Sequence, residues 1–167
     1  MKLMEEFKPG FKTWYPLFLI IFYIFLVALV ANWWSAGITW GGWMQDFMAG
    51  FFLVFSGFKF LDLPGFARAY ATYDLLAKRY IAYGYIYPFI ELLLGLAYVA
   101  RVAPILTNIV TILVMGFSSV GVINALMKRQ NFRCACLGTV LNVPMTAITL
   151  LEDVAMVVMA LLMLFRF

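Results

Sequence analysis

Tyr15-Pro-Leu-Phe-Leu-Ile-Ile-Phe-Tyr-Ile-Phe-Leu-Val-Ala-Leu-Val-Ala-Asn-Trp-Trp34 contains no charged residue. Roughly 20 apolar residues, rising ~1.5 Å each, cross the hydrocarbon core of a bilayer. The stretch therefore reads as a transmembrane helix. No small-residue cleavage site follows it, so it is expected to stay as an anchor and not to leave as a signal peptide.

The rest of the chain repeats the pattern. Of 167 residues, 66% are hydrophobic and 12% are charged, and the mean hydropathy is +0.98. Charged residues usually make up about a quarter of a soluble domain. A water-facing shell cannot be built from half that supply, so lipid must be the solvent for most of the surface. The length suits one domain. Four further segments are long enough to span: Trp43 to Leu61, Ile81 to Ala100 with Glu91, Ala103 to Met127, and Val143 to Phe165 with Glu152 and Asp153. The expected fold is all-α, a polytopic membrane helix bundle of about five spans. Residues 1–14 are expected to form a cytoplasmic tail, 15–34 an N-terminal transmembrane helix, and 43–167 a four-helix membrane domain. Arg101 and Pro104 leave little chain between the third and fourth spans, which implies a tight antiparallel hairpin. Trp33, Trp34, Trp40 and Trp43 cluster around the first connection, where an aromatic belt would sit.

Lys and Arg in short loops set orientation. They alternate: Lys2, Lys8 and Lys12 in the N-terminal tail, none in the first loop, then Lys59, Arg68, Lys78 and Arg79 around the second. Only Arg101 lies in the third, whereas Lys128, Arg129 and Arg133 lie in the fourth and Arg166 at the C-terminus. The N-terminus is expected inside and the C-terminus outside. The net charge of +4 is then mostly topological, and no nucleic-acid partner is expected. In the second loop, Phe66, Ala69, Tyr70, Tyr73, Ala77 and Tyr80 recur at helical spacing, which predicts a short amphipathic helix on the inner membrane surface.

The chain has no histidine, which removes the commonest general base and metal ligand. Sulfur, carboxylate and tyrosine remain. The two cysteines, Cys134 and Cys136, are separated by one alanine at the inner mouth of the last span. Beside Arg133, with Lys128 and Arg129 near, a thiol ionises more readily. Three uses are open. A C-x-C disulfide closes a very small ring and is easily reduced, which suits an exchange catalyst. The same pair suits a soft cation such as Cu(I) or Hg(II). Alternatively, both are small apolar residues packed under the bundle.

Intramembrane acids form the second set. Glu91 lies ten residues past Ile81 and Glu152 nine past Val143, which puts both near mid-bilayer at similar depth. No Lys or Arg is expected at that depth. The two are expected to face the interior as proton-handling or structural acids, sharing a proton, hydrogen-bonding, or holding a cation. Asp153, about 100° round the helix, is expected on a different face. Met145, Thr149, Glu152, Met156, Met159 and Met163 line one stripe. That stripe reads either as gap-filling packing or as a Cu(I) ladder leading from the cysteines. Gly50, Ser56, Gly57, Gly116, Ser118, Ser119 and Gly121 read as close helix contacts.

Three stretches carry a family resemblance. Phe51-Phe-Leu-Val-Phe-Ser-Gly-Phe-Lys-Phe-Leu-Asp-Leu-Pro-Gly-Phe-Ala67 resembles the first helix of DoxX-type membrane proteins, and Pro88-Phe-Ile-Glu-Leu-Leu-Leu-Gly-Leu96 resembles their second. Cys134-Ala-Cys-Leu-Gly138 is similar to the MauE branch of that group. The resemblance covers about residue 43 to the end, so the first span is an addition to a DoxX-like four-helix core. It implies a bacterial inner-membrane protein tied to redox or maturation chemistry. MauE-like proteins accompany assembly of methylamine dehydrogenase, whose maturation requires disulfides. DoxX-like proteins are associated with quinone-linked oxidoreductases, and related modules stand beside heavy-metal-binding domains. A quinone or a soft metal ion is thus an implied cofactor, and a redox protein, metal-binding protein or larger membrane complex an implied partner.

Three functions compete at this point. The first is a redox-associated protein with Cys134 and Cys136 as an exchangeable dithiol. Because the loop charges place that pair inside, electron delivery fits better than direct oxidation of exported proteins. The second is a soft-metal carrier using Cys134, Cys136, Met145 and Glu152. The third is a non-catalytic subunit of a larger complex.

Overall fold

The computed structural model describes residues 11–37, 39–127 and 147–165, and helices are the only regular elements among them. These are α1 (Phe11–Ala36), α2 (Trp40–Leu61), α3 (Leu63–Tyr70), α4 (Ile81–Ala100), α5 (Pro104–Met127) and α6 (Ala147–Phe165). Among the described residues, four helices are long and apolar enough to cross a membrane: α1, α2, α4 and α5. The 19-residue α6 carries an acidic pair and packs along α5. The architecture is the expected membrane helix bundle: α2, α4, α5 and α6 form a core, and α1 packs against α2.

Local chemistry places the turns. Asn32 near the end of α1 accepts a hydrogen bond from the Thr39 N–H at 2.8 Å. The Thr39 hydroxyl in turn accepts from the Gly42 N–H at the start of α2. This double cap folds α2 back on α1 and satisfies backbone donors that lipid would leave bare. After α2, Asp62 accepts from the Gly65 N–H at 2.9 Å and Pro64 occupies the first turn, which starts α3 at once. The α4–α5 hairpin is as tight as expected. Arg101 closes α4 in the left-handed region (φ 53°), and the Val102 N–H reaches back to the Ala97 carbonyl.

The interior has two parts. One cluster joins Leu17, Ile24 and Ala28 of α1 to Met48, Phe52 and Phe55 of α2, Leu94 and Tyr98 of α4, Met115 of α5, and Met156, Ala160 and Met163 of α6. The other gathers Phe66, Tyr70, Tyr73 and Ala77 against Tyr87, Val122 and Ala125, with Leu150 packed on it. The end of α5 and the start of α6 therefore lie at the α3 end of the bundle, and α5 and α6 run antiparallel. Leu93, Leu106, Leu113 and Leu162 point outward, as lipid requires.

Two expectations change. The segment after α2 is a helix only as far as Tyr70, followed by turns to Arg79. Its Arg68, Thr72, Lys78 and Arg79 are exposed as the periodicity implied, but its apolar face docks into the bundle and does not lie flat on lipid. The cause is aromatic. Phe66 stacks on Tyr70, and Tyr70 packs on Tyr73, Tyr83 and Tyr87. Close approach makes this possible. A methyl group at Gly84 would sit 3.1 Å from the Ala67 backbone, and one at Gly121 would sit 3.2 Å from Asp74 and the Tyr73 carbonyl. The belt is also smaller than four tryptophans. Trp33, Trp34 and Trp40 are exposed, whereas Trp43 turns inward between Phe25 and Phe47. Among the small residues read as contacts, Gly57 and Gly116 face open space.

Candidate functional site

Beneath α3 the helices enclose a charged cavity. Lys59 of α2, Glu91 of α4, and Glu152 and Asp153 of α6 line it, with Ser118 of α5 and the rings of Phe66, Tyr70 and Tyr87. About 20 Å³ of it can be reached by the centre of a water molecule, room for one or two waters.

Each helix presents its group for a simple reason. Phe51, Phe55 and Lys59 follow at intervals of four along α2 and share a face. That face is buried throughout. A helical side chain leans toward the N-terminus of its helix, so the Lys59 stem leads away from the α3 end and into the membrane. There its ammonium donates to both carboxylate oxygens of Glu91. The ammonium also sits 4.9 Å from the Tyr87 ring centroid and 5.3 Å from that of Phe66, within cation–π range. Lys59 and Glu91 are 5% and 2% exposed. On α6, Glu152 and Asp153 are both buried, and Ser118 lies within hydrogen-bonding reach of Asp153.

The structure brings Glu91 and Glu152 to one cavity and overturns two expectations about the acids. The expectation that no Lys or Arg lies at their depth is wrong. Lys59 had been counted with the second loop, but docking of α3 keeps the last turn of α2 inside the protein. Asp153 was expected to face elsewhere, yet it lines the same cavity. Two positions about 100° apart can both face inward where a helix is flanked by several others.

The hydrogen bonding is incomplete. Glu152 Oε1 and the Tyr70 hydroxyl are buried without a hydrogen-bond partner among the described residues. Burial, then the neighbouring Tyr87 phenol and the Asp74 carboxylate, holds the Tyr70 phenol well above its ordinary range, so it remains a neutral O–H. Asp74 accepts from the Leu76 and Ala77 N–H groups and secures the turn that follows Tyr70.

A second polar group lies in the other part of the interior. The Tyr98 hydroxyl donates to Asn108 Oδ1 at 2.8 Å and lies 3.0 Å from the Thr111 hydroxyl. It ties α4 to α5 and reads as helix–helix glue.

Cys134, Cys136 and Met145 lie outside the described residues, as does the Thr149 side chain. The segment that carries the cysteines joins Met127 to Ala147. Met156 and Met163 are buried in the apolar interior with Met159 partly buried beside them, which fits packing. Among the described residues, no group of three or more Cys, Asp or Glu is placed to hold a metal ion.

Fold and site together define an integral membrane helix bundle with a charged interior. A family model, methylamine utilisation protein MauE, matches residues 38–166. The chain belongs to the MauE family. The match leaves all of α1 outside it, while α2 to α6, the cavity and the cysteine pair fall within it. No curated protein and no solved structure matches the chain significantly.

Proposed function

We propose that this protein is a redox-associated membrane factor that supports maturation of a partner protein, with Cys134 and Cys136 as an exchangeable dithiol. The observation that carries this reading is the family match, which spans the only two cysteines of the chain, set one residue apart beside Arg133. Basic neighbours favour the thiolate, the form that attacks a disulfide. In exchange, one thiolate attacks a sulfur of the partner's disulfide, an S–S bond forms between the proteins, and the partner's other sulfur leaves as thiolate. The second cysteine attacks the mixed disulfide and frees the partner in reduced form. The pair is left oxidised and returns to the dithiol by exchange with a second thiol protein.

Topology adds support. The helix ends that flank the pair lie at the α3 end, which carries exposed Arg68, Lys78 and Arg79. Positive loops face the cytoplasm. With that end read as the inner one, the N-terminus and the cysteine pair face the cytoplasm and the C-terminus faces outward. Reduction of the partner then fits better than direct oxidation.

Thiol trapping in intact cells tests the reading. Wild type is expected as a mixture of reduced and oxidised forms. Cys136→Ser or Cys134→Ser is expected to accumulate a reductant-sensitive adduct with one protein. A permanently reduced pair, with normal partner maturation in the double serine variant, would sink it. Protection from alkylation only on addition of Cu(I) or Hg(II) would point to a metal carrier instead.

A further inference from the structure

The ion pair leaves the cavity unbalanced. Among the described residues that line it, three carboxyl groups face one ammonium, and Glu91 takes up that ammonium with both oxygens. Glu152 and Asp153 remain, adjacent in sequence and both buried. Two carboxylates cannot both stay charged so close in a medium of low dielectric without a counter-charge. A metal ion is the weaker candidate for that charge, since the acids are not placed to converge on one. A proton needs no convergence. It needs an oxygen to sit on and water to bring it.

The structure supplies the oxygen and the space. Among the described residues Glu152 Oε1 has no hydrogen-bond partner, and the cavity it lines has room for one or two waters. An independent feature points the same way. The Tyr70 hydroxyl, on α3 and 2% exposed, lines the same cavity and is also without a partner among the described residues. Buried hydroxyls and carboxyls left open around one small polar space are the usual surroundings of ordered water.

We propose that Glu152 and Asp153 form a proton-exchange site served by water held in the cavity. Uptake converts a carboxylate and a hydronium into a carboxylic acid and a water. An O–H bond forms on the carboxyl and one breaks in the hydronium, and no electron moves. Among the described residues, the titratable groups that share the cavity with the pair are Lys59 of α2, Tyr70 of α3 with Tyr73 just after it, and Tyr87 and Glu91 of α4. From α5 the lining residues are Met115, Ser118 and Val122, which do not titrate. Lys59 and Glu91 are already paired with each other, and Ser118 lines the cavity from α5. The site does not depend on the thiol reading and stands or falls without it.

Infrared difference spectroscopy on the full chain in phosphatidylcholine nanodiscs tests this. Over a pH titration, wild type is expected to show a protonated-carboxyl band that shifts in D2O. The Glu152→Gln/Asp153→Asn double variant is expected to lose it. Glu152→Asp, which keeps the carboxyl, is expected to retain it. Glu91→Gln leaves the Lys59 charge unbalanced and is expected to shrink the band at fixed pH. Absence of the band in wild type, or its persistence in a double variant that keeps its helical circular dichroism, would overturn the proposal. So would a band governed at constant pH by sodium or potassium concentration, which would make the ligand a metal cation.

Discussion

Lys59 and Glu91, 32 residues apart in sequence, meet as a buried ion pair with both carboxylate oxygens on one ammonium. The contact joins α2 to α4, two helices of the core. Removing one partner of a buried pair strands the other charge, which costs about 3–5 kcal/mol. Lys59→Met is therefore expected to lower the thermal midpoint sharply. Lys59→Met with Glu91→Leu is expected to recover most of the loss, because two apolar groups replace two charges. A double-mutant cycle read by thermal unfolding in detergent checks both.

Glu152 should behave in the opposite way. Its Oε1 is buried without a partner among the described residues, so the wild-type carboxyl carries a desolvation cost. Glu152→Gln is expected to leave stability unchanged or raise it by about 1 kcal/mol. A lower unfolding midpoint for this variant would show a structural hydrogen bond at that position.

Docking of α3 rests on backbone approach at Gly84 and Gly121. Gly84→Val would press on Ala67 and Gly121→Val on Asp74. Each is expected to destabilise by about 1–3 kcal/mol, the range of overpacked cores. Released from the bundle, Tyr70 and Tyr73 should become more accessible to aqueous quenchers, which tyrosine fluorescence detects. Gly57→Ala, which meets open space, is the control and should match wild type.

At the opposite end, Asn32→Ala removes the acceptor of the Thr39 N–H. The loss of one such bond is worth about 1 kcal/mol. Limited proteolysis near residue 38 is expected to speed up, with the rest of the bundle unaffected.

Side-specific labelling of Cys134 and Cys136 in sealed vesicles tests orientation. Reaction from the cytoplasmic side alone is expected. Labelling from the outer side alone would reverse the bundle.

The apolar runs made the helices readable, because lipid demands long uncharged segments and leaves little freedom in where they fall. The turn at Arg101 was readable for the same reason, since two spans left almost no chain between them. Counting residues marked Glu91 and Glu152 as acids within apolar spans, where a charge must face the interior. What counting could not supply was the partner. Lys59 stands two residues before the end of α2 and counts with the loop charges that follow it, and only the docking of α3 makes that end an interior. Its interval of four from Phe55 and Phe51 was the available signal. Asp153 was missed because a helical wheel gives angles but not how wide an arc the neighbours cover. Tyr70 was read as part of a membrane-facing surface, since periodicity separates apolar from polar sides without saying which solvent the apolar side meets.

The cavity is not centred between the ends of the bundle. Lys59 lies in the last turn of α2 and Glu152 near the start of α6, both toward α3. A membrane potential is therefore felt unequally along the two ways to reach these acids. A charge moved across the whole membrane gains or loses about 2.3 kcal/mol per 100 mV. A proton arriving from the α3 side would cross only the smaller part of that drop, and one leaving by the other side the larger part. An energised membrane would thus set how full the cavity is without touching a single contact.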